Sequence, residues 1–324
     1  MKRHNQCISQ RYYIYISIAF TLVLTFFLFT PVKSQAASIS LGVYPPLIKI
    51  TTSPNSHIHQ DITISNYASD PTIVTISFKM FKPSDKKNGQ IIFLANTDKA
   101  KNFFSEHVKI LDGSIPVNQV LLAPRQHKSL SIDITLPKDQ QETDYYISIL
   151  FISNNSMQTK SNASVLSGGI ATNILLSVVP QPTVELGYIK QFTAPRLIDK
   201  DPIPFAVEAT NQGKHFFAAT GKIRIVNMLF GSENIIQLQP AVILSNSSRY
   251  LTDYGGNSLS PIEWKHGFLF GIYRADLEMN FGKNPKTFHK TIYFYSYPVL
   301  GFGIALIVFI FIGIILFKIS KNRG

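Results

Sequence analysis

Residues 129–136 read SLSIDITL, and the fold is decided by how this octet is read. Leu130, Ile132, Ile134 and Leu136 fall on one side of an extended chain, with Ser131, Asp133 and Thr135 on the other. A period of two with one apolar side is the pattern of a strand in an antiparallel sheet that buries a single face. The same alternation occurs upstream in 60–65 (QDITIS, with Ile62 and Ile64) and in 72–80, through Val74, Ile76, Phe78 and Met80. Downstream, 144–152 (DYYISILFI) is apolar on both faces and predicts a central strand. The run GIATNILLSVV at 169–179 closes this first set. One stretch departs from it. In 96–111, NTDKAKNFFSEHVKIL, the near-helical spacing of Phe103, His107 and Ile110 behind Asn96 as a cap predicts a short helix. Before it, the polar KPSDKKNGQ places a hairpin turn at Asn88-Gly89.

At 179–182 the chain reads Val-Pro-Gln-Pro, where two prolines remove amide donors and interrupt a sheet. Strand patterning then resumes. Phe205, Val207 and Ala209 alternate before the turn Asn211-Gln212-Gly213, and Ile223 and Ile225 share a face. Tyr273, Ala275, Leu277, Met279 and Phe281 alternate after Gly271, and 291–295 (TIYFY) predicts the last strand. The chain is therefore expected to be all-β, with two tandem β-sandwiches over 37–180 and 181–297.

The ends read differently. Residues 1–11 are polar and basic, 12–29 are mostly apolar, and Pro31 ends the run. Ser34-Gln35-Ala36 supplies small residues at −3 and −1, so 1–36 is expected to be a secretory signal peptide cut after Ala36; the alternative is an uncleaved signal anchor. Either one exports the middle of the chain. Residues 298–317, PVLGFGIALIVFIFIGIILF, hold no charge and as a helix would span about 30 Å. Tyr293, Phe294, Tyr295 and Tyr297 precede this run, and Lys318, Lys321 and Arg323 follow it in the tail 318–324. The expectation is a transmembrane helix in a single-pass plasma-membrane protein, with its N-terminal domains extracellular, the tail cytoplasmic and the lipid bilayer a partner.

The formal charge is +12, of which Lys2, Arg3, Arg11 and Lys33 supply four and the tail three, with no acid at either end. The remaining +5 is dispersed, with no basic run longer than Lys86-Lys87, which argues against nucleic acid as a partner. The sole cysteine, Cys7, lies in the targeting segment. The exported part therefore has no disulfide, thiol nucleophile or cysteine metal site.

Catalytic signatures are lacking: no Gly-x-Ser-x-Gly elbow, P-loop, dinucleotide fingerprint or His-Glu-x-x-His occurs. Ser84-Asp85-Lys86-Lys87 matches Ser-x-x-Lys, but it lies in a polar turn without companion motifs. His57 and His59 share a strand face, yet no third ligand is near in sequence. Asp199 and Asp201 fit a turn better than a calcium loop, and Glu185, Glu208 and Glu263 form no pair. Trp264 with Phe268, Phe270 and Tyr273 reads as core in preference to a sugar platform. Asn154, Asn162 and Asn246 head N-glycosylation patterns, and Gly301 and Ala305 form a small-xxx-small pair. No catalytic, cofactor-binding or metal residue is assigned, no cofactor is expected, and the protein is expected not to be an enzyme.

In 43–81, VYPPLIKITTSPNSHIHQDITISNYASDPTIVTISFKMF, with NGQI at 88–91 and SGGIATNILL at 167–176, the first half resembles the WxL-interacting protein family of bacterial surface proteins. The second half adds Asn211-Gln212-Gly213, LSNSSRYL at 244–251 and GIYRADLEM at 271–279. The resemblance implies two immunoglobulin-like domains, the first binding peptidoglycan or another cell-wall polymer and the second a surface protein. A membrane-anchored adhesion protein is thus the leading expectation. The alternative is a structural or chaperone-like component of a surface complex that acts by strand addition. More remote is a cell-surface hydrolase using Ser84 and Lys87, or His57 and His59 with a distant acid.

Overall fold

The computed structural model describes residues 40–95, 97–153, 168–179, 185–255, 262–267, 269–283, 286–297, 303 and 307–314. The expected signal peptide, the prolines of the 179–182 boundary, Asn96, Asn154, Asn162, Phe268, Gly301, Ala305 and the tail lie outside the described residues.

The first set of elements runs β1 (Leu41–Tyr44), β2 (Leu47–Thr52), β3 (His57–Asn66), β4 (Thr72–Pro83), β5 (Ile91–Phe93) and α1 (Asp98–His107). It continues as β6 (Val108–Asp112), β7 (Ile115–Pro116), β8 (Gln119–Leu122), β9 (His127–Thr135), β10 (Asp144–Ser153) and β11 (Gly168–Val178). One sheet has the order β1-β3-β9-β6-β7. The other has the order β2-β11-β10-β4-β5, with β8 added to β4. The period-two residues explain the packing. Ile62 and Ile64 of β3 and Leu130, Ile132 and Ile134 of β9 meet Val74, Ile76, Ile147, Ile149 and Phe151 in one buried core. Each such fully buried aliphatic contributes roughly 1.5–3 kcal/mol. β10, apolar on both faces, lies between β11 and β4.

The helix α1 covers this core. Thr97 caps it, its hydroxyl accepting from the Ala100 amide at 3.3 Å. Phe103 stacks on Tyr145 and Phe104 on Phe78. The structure ends the helix at His107, so Ile110 belongs to β6 instead.

The second set is β12 (Gly187–Thr193), β13 (Leu197–Ile198), β14 (Ile203–Asn211), β15 (Phe217–Asn227) and β16 (Glu233–Gln237). It ends with β17 (Ala241–Ile243), β18 (Ser247–Tyr250), β19 (Ile262–Trp264), β20 (Gly271–Phe281) and β21 (Phe288–Ser296). Here the sheets are β12-β14-β18 with β19 on β14, and β13-β21-β20-β15-β16 with β17 on β15. Phe205, Ile223, Leu277, Phe281 and Phe294 are among the residues that fill a separate core.

The expectation at 298–317 is corrected. Among the described residues, no helix is long and apolar enough to cross a membrane. The described part of that stretch comprises Gly303 and the exposed helical residues 307–314. The transmembrane helix, the bilayer as partner and the single-pass plasma-membrane localisation fall with it.

Candidate functional site

Chemistry concentrates in two places: an open strand edge, and the junction of the two sandwiches.

β11 pairs with β10 from Gly168 to Ser177, but with β2 only from Asn173 to Val178. Among the described residues, no strand covers 168–172 on the β2 side. The cause is local. The chain leaves β1, which pairs with β3, and passes Pro45-Pro46 before β2 begins, so the opposite sheet is joined only from Leu47 onward. The Asn173 amide donates to Pro46 O at 3.0 Å. By the two-residue period, the amides and carbonyls of Gly169 and Ala171 point to the same open side. Beside this edge lies an uncharged outer face formed by Leu150 and Ile152, opposite Ala171 and Gly169, and by the exposed pair Ile73 and Leu121.

At the junction, the β4–β5 hairpin reaches the second sandwich. Its turn is set by Lys87 and Gly89, both at positive φ, and Asn88 Oδ1 accepts from the Gln90 amide. The Tyr250 amide donates to Lys87 O at 2.7 Å. Lys87 Nζ lies 2.8 Å from Glu208 Oε1, and Lys190 Nζ 3.3 Å from the same atom. Burial pushes the Glu208 carboxyl up, but the two ammonium groups outweigh it and hold the carboxyl below its ordinary range. The hydrogen bond and charge of Glu208 raise Lys87 in return.

A second cluster centres on Asp144, whose side chain is fully buried. It accepts from the Phe216 amide at 2.6 Å and from Tyr146 Oη at 2.8 Å, and its Oδ1 lies 2.9 Å from His215 Nδ1. That nitrogen also contacts Ser177 Oγ at 2.8 Å, and the Ser245 amide donates to Tyr146 Oη at 2.8 Å. Burial, then the charge of Asp144, push the Tyr146 phenol up. Asp144, Tyr146 and Ser177 come from the first sandwich; His215, Phe216 and Ser245 come from the second.

Between these contacts lies a cavity of about 190 Å³. Leu47, Phe81 and Leu175 wall it on one side, Val242 and Leu244 on the other. The Arg249 guanidinium rests against Gly89, where a Cβ would come within 2.5 Å of Nη2. Nη1 donates to Val242 O at 3.0 Å, and burial pushes the group down from its usual range.

The structure brings together few of the residues singled out in the sequence. Ser84 and Lys87 line one groove, but Lys87 is bound to Glu208 and held protonated, which removes it as a base. His59 Nδ1 lies 2.6 Å from Asp133 Oδ1 on the exposed β3–β9 face, and His57 Nδ1 3.1 Å from Thr135 Oγ1. Among the described residues, no group of three or more His, Cys, Asp or Glu could hold a metal ion. Asp201 accepts from the amides of His266 and Gly267, and Glu185 from that of Lys283; both brace turns. Glu263 is exposed in β19, opposite Pro204. Trp264 is buried edge-on to Tyr273 and Phe294, so it forms no platform. Missed in sequence were the pairings of Glu208, Asp144 and Arg249. A charge inside the otherwise apolar FAVEA at 205–209 was the one available signal.

No family model matches the chain, and no curated protein matches it. Solved structures do. The YadV chaperone is 6% identical, with a TM-score of 0.37 over 78% of this chain and 99% of that one. The E. coli chaperone DraB is 12% identical, with a TM-score of 0.36 over 78% and 98%. The CsuC–CsuE chaperone–tip adhesion subunit pre-assembly complex from Acinetobacter baumannii is 8% identical, with a TM-score of 0.34 over 79% and 99%. These neighbours carry the names of chaperones; with no family model matching the chain, the expected membership in the WxL-interacting family is corrected. The residues that carried that resemblance serve backbone geometry: VYPPL crosses between sheets, NGQI turns a hairpin, and Asn211 Oδ1 accepts from the Gly213 amide. The adhesion role and the peptidoglycan or cell-wall polymer partner fall with it.

Proposed function

We propose that the protein is a chaperone-like assembly component, holding a polypeptide partner by adding a strand of that partner to the open edge of β11. The observation that supports this most directly is the uncovered run 168–172, with the Gly169 and Ala171 backbone groups facing outward. An added strand would satisfy them, each bond contributing about 0.5–1.5 kcal/mol net. Alternate side chains of that strand would meet the uncharged face around Leu150 and Ile152. In this reading the first sandwich, 37–180, holds the partner, and the second, 181–297, is braced against it by the Glu208 and Asp144 clusters.

Ala171→Pro tests it on the full chain. The Ala171 amide makes no bond to β10, so proline there removes only an outward donor. A photo-crosslinker at Gly169 should trap a defined protein adduct in native cells. Ala171→Pro should reduce that adduct at least tenfold while leaving the thermal midpoint nearly unchanged. An adduct of undiminished yield in a folded Ala171→Pro protein refutes strand addition.

A further inference from the structure

The junction cavity carries a charge that its own surroundings do not balance. Lys87 and Lys190 are both taken up by Glu208. Arg249, by contrast, forms no ion pair with a described carboxylate, and its Nη1 bond goes to a neutral carbonyl. A partly buried guanidinium without a counter-ion is costly, and it has up to five donors in a planar fork suited to a carboxylate. The glycine at position 89 leaves the space in which the guanidinium lies.

Away from Arg249 the cavity has an apolar part, where Leu47, Phe81 and Leu175 face Val242 and Leu244, and a polar part that includes Ser84, Gln90, Asn173 and Ser247. At about 190 Å³ it is smaller than the roughly 300–1,000 Å³ of sites for drug-sized ligands. One guanidinium without a described ion-pair partner calls for a single negative charge, and a neutral apolar molecule would leave Arg249 unbalanced. We infer that this cavity is a binding site for a small monocarboxylate with an apolar body, the carboxylate seated on Arg249 and the body between the two leucine-rich walls. This site involves the junction and not the β11 edge, so it stands or falls independently of strand addition.

Octanoate titrated calorimetrically into the full chain tests the assignment. Saturable one-to-one binding is expected, with octanol at least tenfold weaker. That comparison needs no variant. Arg249→Gln should weaken octanoate at least tenfold and leave octanol unchanged, and Arg249→Lys should recover part of the loss. Leu175→Trp, which fills the cavity without touching the charge, should abolish binding of both. Equal affinity for octanoate and octanol, octanoate binding unchanged in Arg249→Gln, or no saturable binding of any straight-chain acid from butanoate to decanoate would each overturn the assignment.

Discussion

Glu208 stands between Val207 and Ala209 in β14, with its side chain only 4% exposed. Its worth lies in joining Lys190 of its own sandwich to Lys87 of the other. Both lysines are more than a third exposed, so solvent screens the pairing and its contribution is small. The two linked titrations bound the window in which it acts. The Glu208 carboxyl is lowered in the fold from 4.5, so its stabilisation is present above pH 4.5 and is lost as pH falls through the folded value. Lys87 is raised from 10.5, so its part is present below pH 10.5 and is lost as pH rises through the raised value. Urea midpoints of wild type and Glu208→Gln should differ by a constant amount between these limits and converge beyond both. A pH-independent difference would remove the ion pair as the cause. The sequence shows an acid in an apolar strand, but its partner lies 121 residues away, and no local pattern names it.

At the scale of elements, alternation was legible where one face is buried. β9 spans His127–Thr135 and so takes in the octet SLSIDITL up to Thr135, and β10 starts at Asp144, where the doubly apolar run begins. What alternation does not encode is which edge stays open, because that depends on where Pro45-Pro46 lets the chain change sheets. Hydropathy misled at 298–317, since apolar composition alone does not establish a membrane-crossing helix. The open edge makes a residue-by-residue prediction. Ile170 and Thr172 lie opposite Phe151 and Ile149, with their amides turned toward β10, whereas those of Gly169 and Ala171 face outward. In the free protein, Gly169 and Ala171 should exchange hydrogen at least a hundredfold faster than Ile170 and Thr172. Equal protection along 169–172 would mean that the edge is already covered.

For the whole molecule, two separate cores imply that cooperativity must cross the junction through few contacts. The Asp144 cluster is the best candidate, because its carboxylate is fully buried and joins the Phe216 amide and His215 to Tyr146. None of this was legible beforehand: Asp144 reads as a polar start to an apolar strand, and His215 lies 71 residues downstream in a turn. Asp144→Ala removes the acceptor while leaving its donors enclosed, a loss of roughly 3–5 kcal/mol by analogy with other broken buried pairs. Neither core contains Asp144, so the cost falls on coupling more than on either sandwich. Calorimetry should show a single cooperative transition in wild type and two partly resolved transitions in Asp144→Ala, with small-angle scattering reporting a larger radius of gyration. Asp144→Asn, which keeps an acceptor for the Phe216 amide, should fall between them. A variant that still melts in one transition with unchanged dimensions would shift the coupling to the Lys87–Glu208 hairpin contact alone.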